Sequence, residues 1–228
     1  MCQILFLLIV FLLASCASKE PVSFLPPPQK FPPGYQGEAL FELRSPWVRQ
    51  KGSFYFLLNA QAVYFESLSP FGGVLLQGLL QGEALAVVLT PQQRAYLLRL
   101  EHAPPALKEH WGELLLGSIP ASWQVERAFR LKDQSLEVWF SLGEGFEARA
   151  ALAPDYSPKQ IQVFHEERLF SLRYHREGGV LLSTVLALAP LSGEVELSFL
   201  ELKPLSNPKL PKVVIPPHFE TKVYKVEL

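Results

Sequence analysis

The chain has 228 residues, half of them hydrophobic, with 21 Lys and Arg against 22 Asp and Glu and a formal net charge of −1. A near-neutral chain with no basic run and no aromatic-basic interleaving excludes nucleic acid as a partner. Its length allows one domain with a sizeable core, and charged residues at only 19% leave an apolar surplus that can line a cavity as well as fill a core.

The first element is an apolar run from Ile4 to Ala14, too short to span a bilayer as a helix, which reads as a signal peptide over residues 1–15. It ends on Leu13-Ala14-Ser15-Cys16, which resembles the lipobox of bacterial lipoproteins. That resemblance implies a lipidated Cys16 as first residue of the mature chain, and Ala17 after it points to the outer membrane, with the domain facing the periplasm. The other cysteine, Cys2, lies within the signal, so no disulfide is expected. Residues 16–35 follow as a lipidated tether whose prolines favour extended polyproline II and oppose both helix and sheet ladder.

From Gln36 the chain reads as strands. "EALFELRS", "SLEVWFSL" and "EVELSFLEL" alternate with period 2, which predicts antiparallel sheet with one wet face. "FYFLLNA", "GVLLQGLL" and "GVLLSTVLALA" are apolar on both faces and need cover on both. The exception is "PPALKEHWGELLLGSIP", where Leu107, Trp111, Leu114 and Leu115 stand at i, i+4, i+7 and i+8, predicting a single amphipathic helix with Pro104 and Pro105 in its first turn and Gly117 as C-cap. About six strands before it and about six after give a mainly β chain, a curved sheet closing around a helical plug. The domain spans residues 36–203, and 204–228 is a Pro-rich C-terminal segment with an edge strand at best.

The five histidines show no metal-site spacing, and no nucleophile elbow, P-loop or dinucleotide fingerprint occurs. The expectation is a non-enzyme with no cofactor and no metal. The most distinctive text is "SPFGGVLL", Ser69 to Leu76: Gly72 and Gly73 release the backbone, placing Pro70 and Phe71 on an exposed hairpin tip. An aromatic ring there suits binding to something outside the domain.

Together the lipobox, the strand "ALFELRS", the strand-loop-strand "FESLSPFGGVLLQGLL", the strand "AVVLTPQQRAYLL" and the helix "LKEHWGELLLGSIP" resemble the LolB family, outer-membrane lipoproteins that accept other lipoproteins from the periplasmic carrier LolA. The resemblance covers most of Gln36 to about Leu202. It implies an incomplete antiparallel barrel of about eleven strands, lidded by helices, whose apolar cavity takes up acyl chains of lipoproteins or other lipids. It also implies a LolA-like carrier as partner, and a membrane-insertion loop formed by Pro70, Phe71, Gly72 and Gly73, with Phe71 where LolB carries a protruding leucine. The cavity residues expected from strand position are Phe41, Phe54, Phe56, Leu58, Phe65, Leu76, Phe140 and Phe170, with Trp111 and Leu115 as lid. A second function class stays open beside this one, a structural lipoprotein that scaffolds a partner complex without a lipid ligand.

Overall fold

A computed structural model describes residues 19–23, 31–46, 49–188, 192–206 and 208–227. Cys16 and the segment read as a signal, residues 1–15, lie outside the described residues. The architecture is mainly β: fifteen strands among the described residues form one sheet, in the order β1-β8-β9-β10-β11-β12-β13-β14-β2-β3-β4-β5-β6-β7-β15. Two antiparallel meanders build it. The first is β2 (Gly34–Arg44), β3 (Arg49–Asn59), β4 (Ala62–Leu68), β5 (Val74–Gln81), β6 (Ala84–Leu89) and β7 (Arg94–Glu101). The second is β8 (Gln124–Arg130), β9 (Leu136–Gly143), β10 (Phe146–Leu152), β11 (Pro158–His165), β12 (Glu167–Glu177), β13 (Val180–Leu188) and β14 (Gly193–Leu205). Pairing of β14 with β2, from Glu194 opposite Arg44 to Leu205 opposite Gly34, joins them.

The sheet curls because its two ends are tied by a short connection. In a flat sheet β7 and β8 would lie about 58 Å apart. Instead the segment between them, with α1 (Pro105–Lys108) and α2 (Trp111–Leu115), packs on both halves at once, α1 on β9 and α2 on β3 and β4. The faces turned inward follow the period of 2: Ala39, Phe56 and Leu58 from the first meander, and Val138, Phe140, Ala148, Ala150, Ile161, Val163, Phe170 and Leu172 from the second, are all buried in one core. Leu107, Leu114, Leu116 and Trp123 of the connection complete it.

Three expectations need correction. The strand count is fifteen among the described residues and the sheet is open, where the family likeness implied about eleven strands nearing closure. The thirteen strands β2 to β14 match the six-plus-six reading closely. The remainder are edge strands: β1 (Glu20–Pro21) on β8, and β15 (Glu220–Glu227), which runs parallel to β7. Proline and charge suit these segments to edges and keep the two ends from pairing with each other. Second, part of the tether does make a ladder. Glu20 opposes Arg130, Pro21 opposes Phe129, and the Val22 N–H donates to the Ala128 carbonyl at 3.0 Å. A proline is tolerated there because an edge strand leaves one side unpaired. Third, the single helix is two short ones, interrupted at Glu109 and His110. Gly112 explains the break, since its N–H donates to the Ala60 carbonyl in the β3–β4 turn and a Cβ on it would sit 1.8 Å from the Asn59 carbonyl oxygen. Only glycine lets the plug approach that turn. The predicted C-cap at Gly117 is present, with φ +67°, Gly117 N–H to the Leu114 carbonyl and Ser118 N–H to the Glu113 carbonyl.

The sheet also carries a buried ionic cluster on its outer face. Glu137 of β9 accepts from Lys19 Nζ at 2.8 Å, from Trp139 Nε1 at 3.1 Å and from Arg149, so the start of the described chain is fastened to the second meander. Burial alone would push the Glu137 carboxyl up, but the donors from Lys19, Trp139 and Arg149 outweigh it and hold it at about 2.

Candidate functional site: an apolar cavity beside the helical plug

The plug is held by its carbonyl end. The turn after α2 leaves carbonyls that no helix can satisfy, and side chains from β12 and β13 meet them. Tyr174 Oη donates to the Leu114 carbonyl at 2.6 Å, Thr184 Oγ1 to Leu115 at 2.8 Å, and Arg176 Nη2 to Leu116 at 3.0 Å and Gly117 at 3.1 Å. At its other flank Trp111 Nε1 donates to the Gly82 carbonyl and Trp123 Nε1 to the Ala106 carbonyl. A connection pinned at this many points stands off from the sheet where it leaves the second helix, and a space opens there.

That space is a cavity of about 680 Å³, within the range of sites for small apolar ligands. Its roof is the chain from Leu116 to Trp123. The floor is Val138, Phe140 and Leu152 of the sheet. The walls are Phe31, Pro32 and Tyr35 before and within β2, the Asp155–Pro158 turn, and Arg176, Val180 and Leu181 of the β12–β13 hairpin. Trp123 meets Phe140 edge to face at 5.5 Å, and Phe31 meets Tyr35 likewise at 5.6 Å. Val125, Tyr156 and Val180 line the cavity while remaining 50%, 44% and 61% exposed, so its mouth is rimmed by apolar side chains.

One pole is polar. Arg176 is half-buried, and burial pulls its pKa down, opposed by the nearby Tyr174, Asp155 and Tyr35. Its Nη2 serves the plug, but its Nε is buried with no hydrogen-bond partner. Burial raises the Tyr35 phenol on the facing wall, against the Arg176 charge. Asp155 at the mouth is held below the usual carboxylate range by Ser157, whose hydroxyl and N–H both donate to it at 2.6 and 3.0 Å.

Of the ten side chains expected to form an acyl cavity, Phe140 lines this one. Phe56, Leu58 and Phe170 are in the close-packed core, and Phe54, Phe65, Trp111 and Leu115 pack against it. Phe41 joins them through Phe54 at 6.0 Å, Phe54 meets Phe65 at 5.7 Å, and Trp111 meets Phe170 at 6.2 Å. Leu76 is half-buried on β5, opposite Ser67 and Leu89. Phe41, Phe54, Phe56 and Phe65 form a run of ring contacts, and Phe170 packs on Trp111 of the plug, both apart from the cavity's walls. Most walls come from turns and from the connection, where period-2 reasoning does not reach. The signal available was Arg176: in "LFSLRYHREGG" Phe170, Leu172, Tyr174 and Arg176 share the inward phase, and a charge there breaks an apolar face.

The predicted loop is where the sequence put it. The turn joining β4 to β5 is closed by Ser69 N–H to the Gly73 carbonyl at 2.8 Å, Gly72 N–H to the Ser69 carbonyl and Gly73 N–H to Ser69 Oγ. Phe71 at its tip is 98% exposed. This tip lies at the Arg44 and Leu89 end of the strands, whereas the cavity opens at the Gly34, Leu152 and Val180 end. Among the described residues no group of three or more His, Cys, Asp or Glu could hold a metal, and no helix is long and apolar enough to cross a membrane.

No protein-family model matches the chain, and no curated protein sequence matches it either. Among solved structures the chain is similar to a LolA superfamily protein from Nitrosomonas europaea, at 11% identity over 80% of this chain and 90% of that one, with a TM-score of 0.48. It is similar to a protein domain assigned to outer membrane lipoprotein sorting from Vibrio parahaemolyticus, at 10% identity over 76% and 86%, TM-score 0.45. A DUF1329 family protein from Desulfovibrio piger aligns at 8% identity over 77% and 87%, TM-score 0.46. All three scores fall below 0.5, and the functional reading rests on the site's own geometry.

Proposed function

We propose that this protein binds an acyl chain of a lipid in the cavity beside the plug while an acylated Cys16 anchors it at the outer membrane, its domain facing the periplasm. The observation that carries the reading is the cavity: about 680 Å³, walled by aromatic and aliphatic side chains and open through an apolar rim. Each methylene moved from water into such a site contributes about 0.8 kcal/mol, so a long chain is bound through its length without any catalytic group. The anchor rests on Leu13 to Cys16, and acyl chains on that residue would keep the protein on the membrane. Phe71, fully exposed on a tight turn, is assigned the insertion role that the LolB-like text implies. The LolB-like text also allows acceptance of a lipoprotein from a LolA-like carrier, and displacement of the bound fatty acid by a triacylated lipoprotein would favour that form instead.

The test uses the chain with Cys16→Ala, whose own acyl chains cannot compete, and a fluorescent long-chain fatty acid. Saturable binding that Val180→Trp and Val125→Trp at the mouth weaken severalfold is the expected result. Both positions are at least half exposed, so the fold tolerates them. Absence of binding by the unblocked chain would return the protein to the scaffold reading.

A further inference from the structure

We propose that the cavity selects a single-chain amphiphile with a compact anionic head, carboxylate or phosphate monoester, and that Arg176 receives the head. This rests on the acyl-binding reading above and narrows it. Volume allows a long chain: with a methylene taken as about the size of one water in the liquid, about 30 Å³, a sixteen-carbon chain needs about 480 Å³, and the cavity offers about 680 Å³. A single receiving cation suits one head on one chain, and the ligand is therefore a single-chain amphiphile and not a diacyl phospholipid or a triacylated protein N-terminus.

Arg176 sets the head. Among the described residues it is the sole cation lining the cavity, and no carboxylate among them lies within ion-pair distance of it. A guanidinium has five donors in a fixed fork suited to carboxylate and phosphate. Here Nη2 is spent on the Leu116 and Gly117 carbonyls, and buried Nε has no acceptor. A buried donor left unsatisfied in a native structure calls for an explanation. An anion at this pole would supply the counter-charge, and a small turn of the guanidinium would let the occluded Nε donate to it, with the chain running beneath Trp123 towards Phe140. The charge facing it from the mouth is Asp155, whose carboxylate is occupied by Ser157. It disfavours a second negative charge there and so favours a small head over a bulky polyanionic one.

The experiment measures displacement of the same fluorescent fatty acid from the full chain bearing Cys16→Ala by dodecanoate, dodecyl phosphate, dodecanol and dihexadecanoyl phosphatidylglycerol. At least one of the two anions should displace about tenfold better than dodecanol, whose neutral head leaves the Arg176 charge unanswered, and the two-chain lipid should not compete at equal concentration. Asp155→Asn keeps an acceptor for Ser157 and should tighten the anions while leaving dodecanol unchanged. Arg176→Met should abolish the preference and Arg176→Lys should keep much of it. Equal displacement by both anions and dodecanol from the unsubstituted cavity would overturn the head assignment, whether or not Arg176→Met folds. Competition by the two-chain lipid would overturn the single-chain limit. If the probe never binds, the acyl reading itself has failed, a result distinct from both.

Discussion

Replacing Phe71 by Glu tests the insertion role without disturbing the fold. The ring is 98% exposed on a turn closed by backbone and Ser69 hydrogen bonds alone, so the substitution removes no packing, and a stability change within about 0.5 kcal/mol is expected. The same exposure means that nearly the whole ring is available to lipid. Its full burial is worth about 1.5 to 3 kcal/mol, and a charge is further disfavoured in hydrocarbon. Partition of the unlipidated Cys16→Ala chain onto vesicles, followed by sedimentation, should therefore fall by about ten- to a hundredfold in Phe71→Glu. Phe71→Leu should retain most of the binding. Unfolding of the Glu variant by several kcal/mol in a urea titration would show the ring to be core. Unchanged stability together with unchanged partition would refute the insertion role.

Gly112→Ala places a methyl 1.8 Å from the Asn59 carbonyl oxygen, which backbone cannot yield cheaply; the plug should lift from the β3–β4 turn, with a loss of several kcal/mol by urea titration and altered fatty-acid binding. Thr184→Val leaves the Leu115 carbonyl without its donor at a fully buried position, costing about 1 to 3 kcal/mol in the same assay. Glu137 has a folded-state pKa held at about 2, below its unfolded value. Its contribution is therefore complete above about pH 4.5 and is lost as the pH falls towards 2. Glu137→Gln should cost on the order of 2 kcal/mol at neutral pH and flatten the acid limb of stability between those limits, measured by thermal melts against pH.

The alternation in "EALFELRS" and "SLEVWFSL" was a reliable guide to the fold, because a period of 2 states which side chains face inward whatever the strand order; Ala39, Val138 and Phe140 are buried as that phase demands. The plug's position in the chain and its Gly117 cap were legible too, since Leu107 and Leu114 mark the buried stripe and glycine marks the stop. The break at Glu109 and His110 was not, because it depends on Gly112 meeting the Asn59 carbonyl, a contact remote in sequence. The docking of Glu20 and Pro21 on β8 was hidden for the same reason. The cavity was the least legible feature. Its roof and part of its walls are turns or linkers, which carry no periodicity, and its aromatic neighbours Phe54, Phe56 and Phe65 look identical in sequence whether they fill a core or line a void.

The claim that the space between the plug and the second meander holds an acyl chain is tested most directly by native mass spectrometry of the Cys16→Ala chain purified without detergent. A mass increment equal to one fatty-acid-sized molecule per chain, recovered in the organic extract and lost in Val180→Trp, is the predicted result. A bare chain mass that long-chain fatty acid added in excess does not shift would contradict the account.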